Sequence, residues 1–177
     1  MIAERAVTIA DGHGRARSVA SPKIAIFLQD LVGGGAEKMM LNLAGGIADT
    51  GATVDLVLVR ARGPYLAAVP YNVRLVELGT RRTSASILAL ARYLRRERPA
   101  AMLAALTHVN IAAILATCLA RRCSRVVVSE RSTMSQEAAE VKAPTVRLAL
   151  RLAPWLYPRA DGIVTVSQGA AEDLARY

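Results

Sequence analysis

Short apolar runs of strand length recur along the chain, and each gives way to polar or glycine-rich residues. The four clearest are Lys23–Gln29 (KIAIFLQ), Val54–Val59 (VDLVLV), Val126–Ser129 (VVVS) and Gly162–Val166 (GIVTV). Runs this short, rich in Val and Ile and bounded by turn residues, predict β-strands. Two weaker runs, Val73–Leu78 and Ala101–Leu106, keep the same spacing. Helical patterns lie between them. Ala36, Met39, Met40, Leu43, Ala44 and Ile47 form one apolar stripe, the mark of a helix with one buried face. Ile87, Leu90, Ala91 and Leu94 form a second, with Arg92, Arg95 and Arg96 outside it and Pro99 closing the segment. Further helices are expected after Asn110, over Pro144–Leu156 and from Ser167 onward. Strands alternating with helices imply right-handed βαβ units and a parallel sheet covered on both faces, a doubly wound α/β fold.

Composition supports one such domain. The chain has 177 residues, 53% of them hydrophobic and only 4% aromatic, so its core is built from Ala, Leu, Val and Ile, as suits helices on a Val/Ile sheet. Residues 1–22 carry mixed charges, glycines and serines and no apolar stretch, and read as a loose N-terminal tail before a domain spanning 23–177. The two cysteines, Cys118 and Cys123, are too few for a stapled secreted scaffold and point to a reducing cytoplasm. Residues 100–120 carry no formal charge, but they are alanine-rich, with His108 and Asn110 in the middle. A strand, a polar turn and a helix account for them better than a membrane span.

With 23 Lys+Arg against 14 Asp+Glu, the net charge is +9, a field that attracts phosphates or anionic headgroups. The arginines are scattered, without the interleaved aromatics that stack on bases, so nucleic acid is not an expected partner. The basic amphipathic stretch Pro144–Pro158, with Trp155 among its apolar residues, fits either peripheral contact with the inner face of a membrane or ordinary packing broken at Pro154.

In open parallel sheets ligands bind beyond the carboxyl ends of the strands. Four polar clusters fall there: Gly33-Gly34-Gly35 with Glu37, His108 with Asn110, Glu130-Arg131-Ser132, and Ser167. The glycines would let backbone N–H groups and a helix N-terminus approach a phosphate. They are not a dinucleotide fingerprint, since Lys38 stands where a third glycine belongs and Arg60 and Arg62 stand where a ribose-binding acid is expected. An NADP-dependent oxidoreductase would suit the arginines but not the missing glycine. His108, with an ordinary pKa near 6.5, suits exchange of hydrogen bonds with a hydroxyl-rich ligand. Structural readings stand beside these: a tight turn at the glycines, a first-turn carboxylate at Glu37, a satisfied core His108, a helix cap at Asn110, and an exposed pair of Glu130 with Arg131.

The segment KIAIFLQDLVGGGAEKMMLNLAGGIADTGATVDLVLV resembles the opening β-α-β of family 4 glycosyltransferases, and ALTHVN, VVVSERS and YPRADGIVTVSQGAAEDL resemble later blocks in the same order. The resemblance covers Lys23 to Tyr177. It implies a Rossmann-like domain, the N-terminal, acceptor-side half of a GT-B architecture, in a retaining enzyme that moves sugar from a nucleotide sugar to a glycan or lipid-linked acceptor. The Gly33–Gly35 loop, Glu37, Asn110, Glu130, Arg131, Ser132 and Ser167 would then line the cleft, and His108 would face the transferred sugar as the catalytic residue. The family often has His where Arg131 stands. No cofactor and no metal are implied, the nucleotide sugar being a substrate. The donor-binding C-terminal domain is not expected within this sequence, so the chain alone is expected to be inactive. The alternative is a non-catalytic binding module for a phosphorylated ligand or a partner chain.

Overall fold

The computed structural model describes residues 21–131, 133–135, 138 and 143–176. Residues 1–20, most of the expected tail, and Ser132 lie outside them. Six strands form one wholly parallel sheet: β1 (Lys23–Leu28), β2 (Thr53–Leu58), β3 (Val73–Glu77), β4 (Ala101–Ala105), β5 (Arg125–Glu130) and β6 (Gly162–Thr165), in the order β3-β2-β1-β4-β5-β6. Each apolar run of the sequence is one of these strands. The helices are α1 (Gly35–Asp49), α2 (Thr83–Glu97), α3 (Thr107–Leu119), α4 (Pro144–Leu156) and α5 (Gln168–Arg176). The fold is a Rossmann-like doubly wound α/β domain, and the strand order reverses between β1 and β4.

Alternation along the strands divides the core. Ile26 and Leu28 of β1 and Val54, Leu56 and Leu58 of β2 face α1 through Met40, Leu41 and Ala44. Ala25, Phe27, Val57 and Val59 face the opposite layer, where Leu90 and Leu94 of α2, Ile114 of α3 and Leu150 of α4 pack. Phe27, Ile26, Leu56 and Leu94 are fully buried, each contributing about 1.5–3 kcal/mol over exposure. The uncharged segment 100–120 resolves into β4, a bend and α3, and among the described residues no helix is long and apolar enough to cross a membrane.

Helix ends follow local chemistry. Arg98 takes the left-handed conformation, φ 45° and ψ 54°, with its N–H bonded to the Leu94 carbonyl, and Pro99 follows because it cannot prolong the helix. Pro154, expected to break α4, instead lies inside it; the helix runs on to Leu156 and tightens into a 3₁₀ turn at Tyr157–Arg159. Pro154 forfeits one backbone bond, to the carbonyl four residues earlier, and the helix ends within a turn of it.

A buried carboxylate ties the amino ends of the strands together. Asp55 in β2 is fully buried and accepts Arg74 Nε at 2.7 Å and Nη2 at 2.6 Å from β3, and the Tyr93 hydroxyl at 2.5 Å from α2. Glu97 accepts Lys23, Arg74 and Arg96 at 2.7, 2.8 and 3.0 Å. Those cations, Lys23 first, hold its carboxyl down at about 2. Burial, then the neighbouring Asp55, push the Tyr93 phenol well above its ordinary range. This network lies at the sheet edge opposite the glycine loop and serves the fold.

Candidate functional site

Past Leu28 the chain leaves β1 through Gln29 and the buried Asp30. The Asp30 carboxylate accepts Arg62 Nε at 2.9 Å and Nη2 at 2.8 Å, with Arg60 Nη2 4.0 Å away. This pairing, with backbone bonds from Arg60 N to Gln29 O and Leu31 N to Arg62 O, holds the loop after β2 against the loop after β1. Gly63 is forced there: its φ is +112°, and a Cβ would overlap the Leu31 carbonyl. Gly33, at φ +117°, makes the turn into α1, and Gly34 occupies the helix N-cap position. The Glu37 carboxylate folds back over Gly34, where it faces the positive end of the helix dipole.

Across the switch point, β4 runs into α3 through Leu106, whose φ of +80° is rare for a residue with a Cβ. Strain of this kind, about 1–3 kcal/mol, persists where the surroundings over-determine the backbone. It aims the first turn of α3 at β1. His108 Nε2 lies 2.7 Å from Gln29 Oε1, which also accepts the Thr83 hydroxyl at 3.0 Å. With Oε1 as acceptor, His108 carries its proton on Nε2. These three residues stand at the mouth of a cleft of about 610 Å³ between α2, α3 and α4, whose rim also holds Arg60, Arg81 and Arg82.

Two expected cleft residues turn inward. Asn110, 0% exposed, lies inside α3 and does not cap it; its own N–H bonds Leu106 O. Its Nδ2 donates to Glu130 Oε1 at 2.8 Å, Ser129 O at 3.1 Å and the Tyr157 hydroxyl at 3.3 Å, while Oδ1 is buried without a partner among the described residues. Glu130 is 1% exposed rather than part of a surface pair, and it also accepts the hydroxyls of Thr107 (3.2 Å) and Tyr157. Arg131 is half-buried at the end of β5. Ser167 caps α5, its Oγ accepting Ala170 N–H at 3.2 Å.

The structure therefore joins His108 to the β1 end, but leaves the Gly33–Gly35 turn outside the lining of its cleft, turns Asn110 and Glu130 into a buried network and leaves Ser167 at the far edge of the sheet. Gln29, Thr83, Arg81 and Arg82 were not expected at the site. Gln29 had one signal, a polar residue closing an apolar run at the carboxyl edge. The others follow the weakest strand, and their role depends on where α2 lies. Among the described residues no group of acidic, His or Cys side chains could hold a metal ion.

The sheet order, the switch-point cleft and the glycine turn into α1 define a Rossmann-like domain of the kind that forms half of a GT-B enzyme. The family model for Glycosyltransferase Family 4 matches residues 33–177, and the chain belongs to that family. Solved structures agree on the fold. The apo form of the lipopolysaccharide outer core galactosyltransferase WaaB aligns with a TM-score of 0.64 at 11% identity over 87% of this chain and 42% of its own. HepE of Anabaena, solved with UDP and glucose, aligns at 0.62 and 18% identity over 88% and 41%. A short-chain dehydrogenase/reductase from Veillonella parvula reaches 0.52 at 11% identity over 82% and 68%, a likeness of fold alone. No curated protein matches with significance. The chain thus spans about two fifths of the length of the glycosyltransferase structures it matches.

Proposed function

We propose that the chain is the acceptor-side half of a retaining glycosyltransferase that moves a sugar from a nucleotide sugar to a glycan or lipid-linked acceptor. In that reaction the bond from the anomeric carbon to the diphosphate breaks and a bond to an acceptor oxygen forms. The acceptor proton leaves with the nucleoside diphosphate. The observation that carries the reading is the His108–Gln29 pair at the switch point, in a cleft that also holds Arg60, Arg81 and Arg82. There an imidazole can meet a sugar hydroxyl while guanidiniums face phosphate. Family membership and the HepE complexes with UDP and glucose and with UDP-glucose support the same substrate class. Transfer needs a donor-binding half closed over this one, because neither half alone sets donor against acceptor. Peripheral contact with an anionic membrane surface suits the net charge of +9.

Calorimetry and a rejoined enzyme test this. The chain alone is expected to bind UDP- and GDP-sugars more weakly than micromolar, about −8 kcal/mol, and to release no nucleotide. Joined to the donor-binding domain of a family 4 enzyme, it is expected to release nucleoside diphosphate when acceptor is supplied. Micromolar donor binding by the chain alone would place the donor site here and overturn the assignment of halves.

A further inference from the structure

The cleft beside His108 has two walls of different chemistry. One holds Arg60, Arg81 and Arg82, and among the described residues no carboxylate lines the cavity. Arg81 and Arg82 are exposed, and no ion pair among the described residues includes either. Arg82 is also the N-cap residue of α2, so the helix dipole adds positive potential at the same place. Arg60 reaches only a 4.0 Å contact with Asp30, which Arg62 already holds at 2.8 Å. Its Nε is buried without a partner among the described residues, a desolvated donor that an anion would satisfy.

The other wall is aliphatic. Ile87, Ile111 and Leu115 face Val146, Leu148 and Leu152 across the groove, and among the described residues no Phe, Tyr or Trp lines it. A wall of aliphatic side chains gives a nucleobase no stacking platform, and the one ring in the cleft, His108, is tied to Gln29. Methylene groups fill it without leaving polar atoms unpaired. Leu148 at the mouth is 58% exposed, as expected where a chain would enter from outside. The cavity, about 610 Å³, is of ordinary size for a small-molecule site.

We infer that this cleft binds the phosphate of a phosphorylated lipid acceptor at Arg60, Arg81 and Arg82 and lays its hydrocarbon chain along the aliphatic groove of α2, α3 and α4. The inference rests on the glycosyltransferase reading for the word acceptor. It narrows that reading from glycans in general to lipid phosphates.

Backbone amide NMR on the full chain tests it, with dodecyl phosphate below its micelle concentration as probe, and dodecyl maltoside and inorganic phosphate as tail-only and head-only controls. Dodecyl phosphate is expected to shift the amides of Thr83–Ile87 and Leu148–Leu152 together, and to bind about tenfold or more tighter than either control. Combining Arg81→Ala with Arg82→Ala, both on exposed side chains, is expected to erase the advantage over the maltoside while the rest of the spectrum stays unchanged. Leu148→Asn is expected to weaken both dodecyl ligands and to leave inorganic phosphate unaffected. Equal binding of dodecyl phosphate and dodecyl maltoside, inorganic phosphate binding as tightly as dodecyl phosphate, or shifts confined to residues outside α2, α3 and α4 would each overturn the inference. Transfer by the rejoined enzyme to a free oligosaccharide, with no dodecyl phosphate binding, would overturn this inference and leave the glycosyltransferase reading standing. Dodecyl phosphate binding without transfer would overturn the glycosyltransferase reading, and the word acceptor with it, and leave the lipid-phosphate site standing.

Discussion

Gln29 and His108 are far apart in sequence, yet the amide oxygen of one lies 2.7 Å from Nε2 of the other, joining the ends of β1 and β4 where the strand order reverses. The bond orients the imidazole from behind and leaves its ring at the mouth of the cleft.

In the rejoined enzyme, His108→Ala is expected to lower turnover by about 10²-fold or more, about 2.7 kcal/mol, if the imidazole acts mainly in the transition state. Gln29→Ala loosens the ring without removing it, so its loss is expected to be about tenfold. Initial rates and thermal unfolding measured side by side decide the matter. Turnover per folded molecule that stays near wild type in His108→Ala removes the residue from the chemistry.

Tyr157→Phe is expected to behave in the opposite way. Its hydroxyl meets Glu130 and Asn110 beneath the cleft, and leaving buried polar groups short of a partner costs about 1–3 kcal/mol. Denaturant midpoints should fall by that amount while the rejoined enzyme keeps its rate per folded molecule. A large rate loss at unchanged stability would move this network into the active site.

Acid stability should report on Glu97. Lys23, Arg74 and Arg96 hold its carboxyl at about 2, below the ordinary 4.5. A depressed folded value means that the stabilisation is complete above the unfolded value and is lost as pH falls from 4.5 toward 2. Glu97→Gln should flatten the stability curve across that window and leave its shape near neutral pH alone. An unchanged acid slope in the variant would show that other carboxylates govern it.

Gly63→Ala should destabilise by about 3 kcal/mol or more, since its positive φ and the Leu31 carbonyl both oppose a side chain. Gly46→Ala is the control. It lies within α1 with nothing near a new Cβ, so a gain of up to about 1 kcal/mol is expected. Melting temperatures of the two variants should move in opposite directions, and a tolerated Gly63→Ala would show that the loops after β1 and β2 are not locked together.

All six strands and the stripes of α1 and α2 were legible because their signals are local. Burial on both faces writes itself as short Val/Ile runs, and burial on one face as a helical period. The glycine turn at Gly33–Gly35 and the stop at Pro99 were legible for the same reason, backbone conformation being set residue by residue. The side of the sheet to which a polar residue turns is not local. Asn110 and Glu130 read like His108, polar residues at strand ends, yet only the packing of α3 and α4 against β5 drew them inward, because Tyr157 reached them from a distant helix. Arg60, Arg81 and Arg82 looked like scattered surface charge. They became one rim when the parallel neighbours β2 and β3 brought two separate loops to one edge, and that convergence depends on long-range pairing that no stretch of the sequence contains.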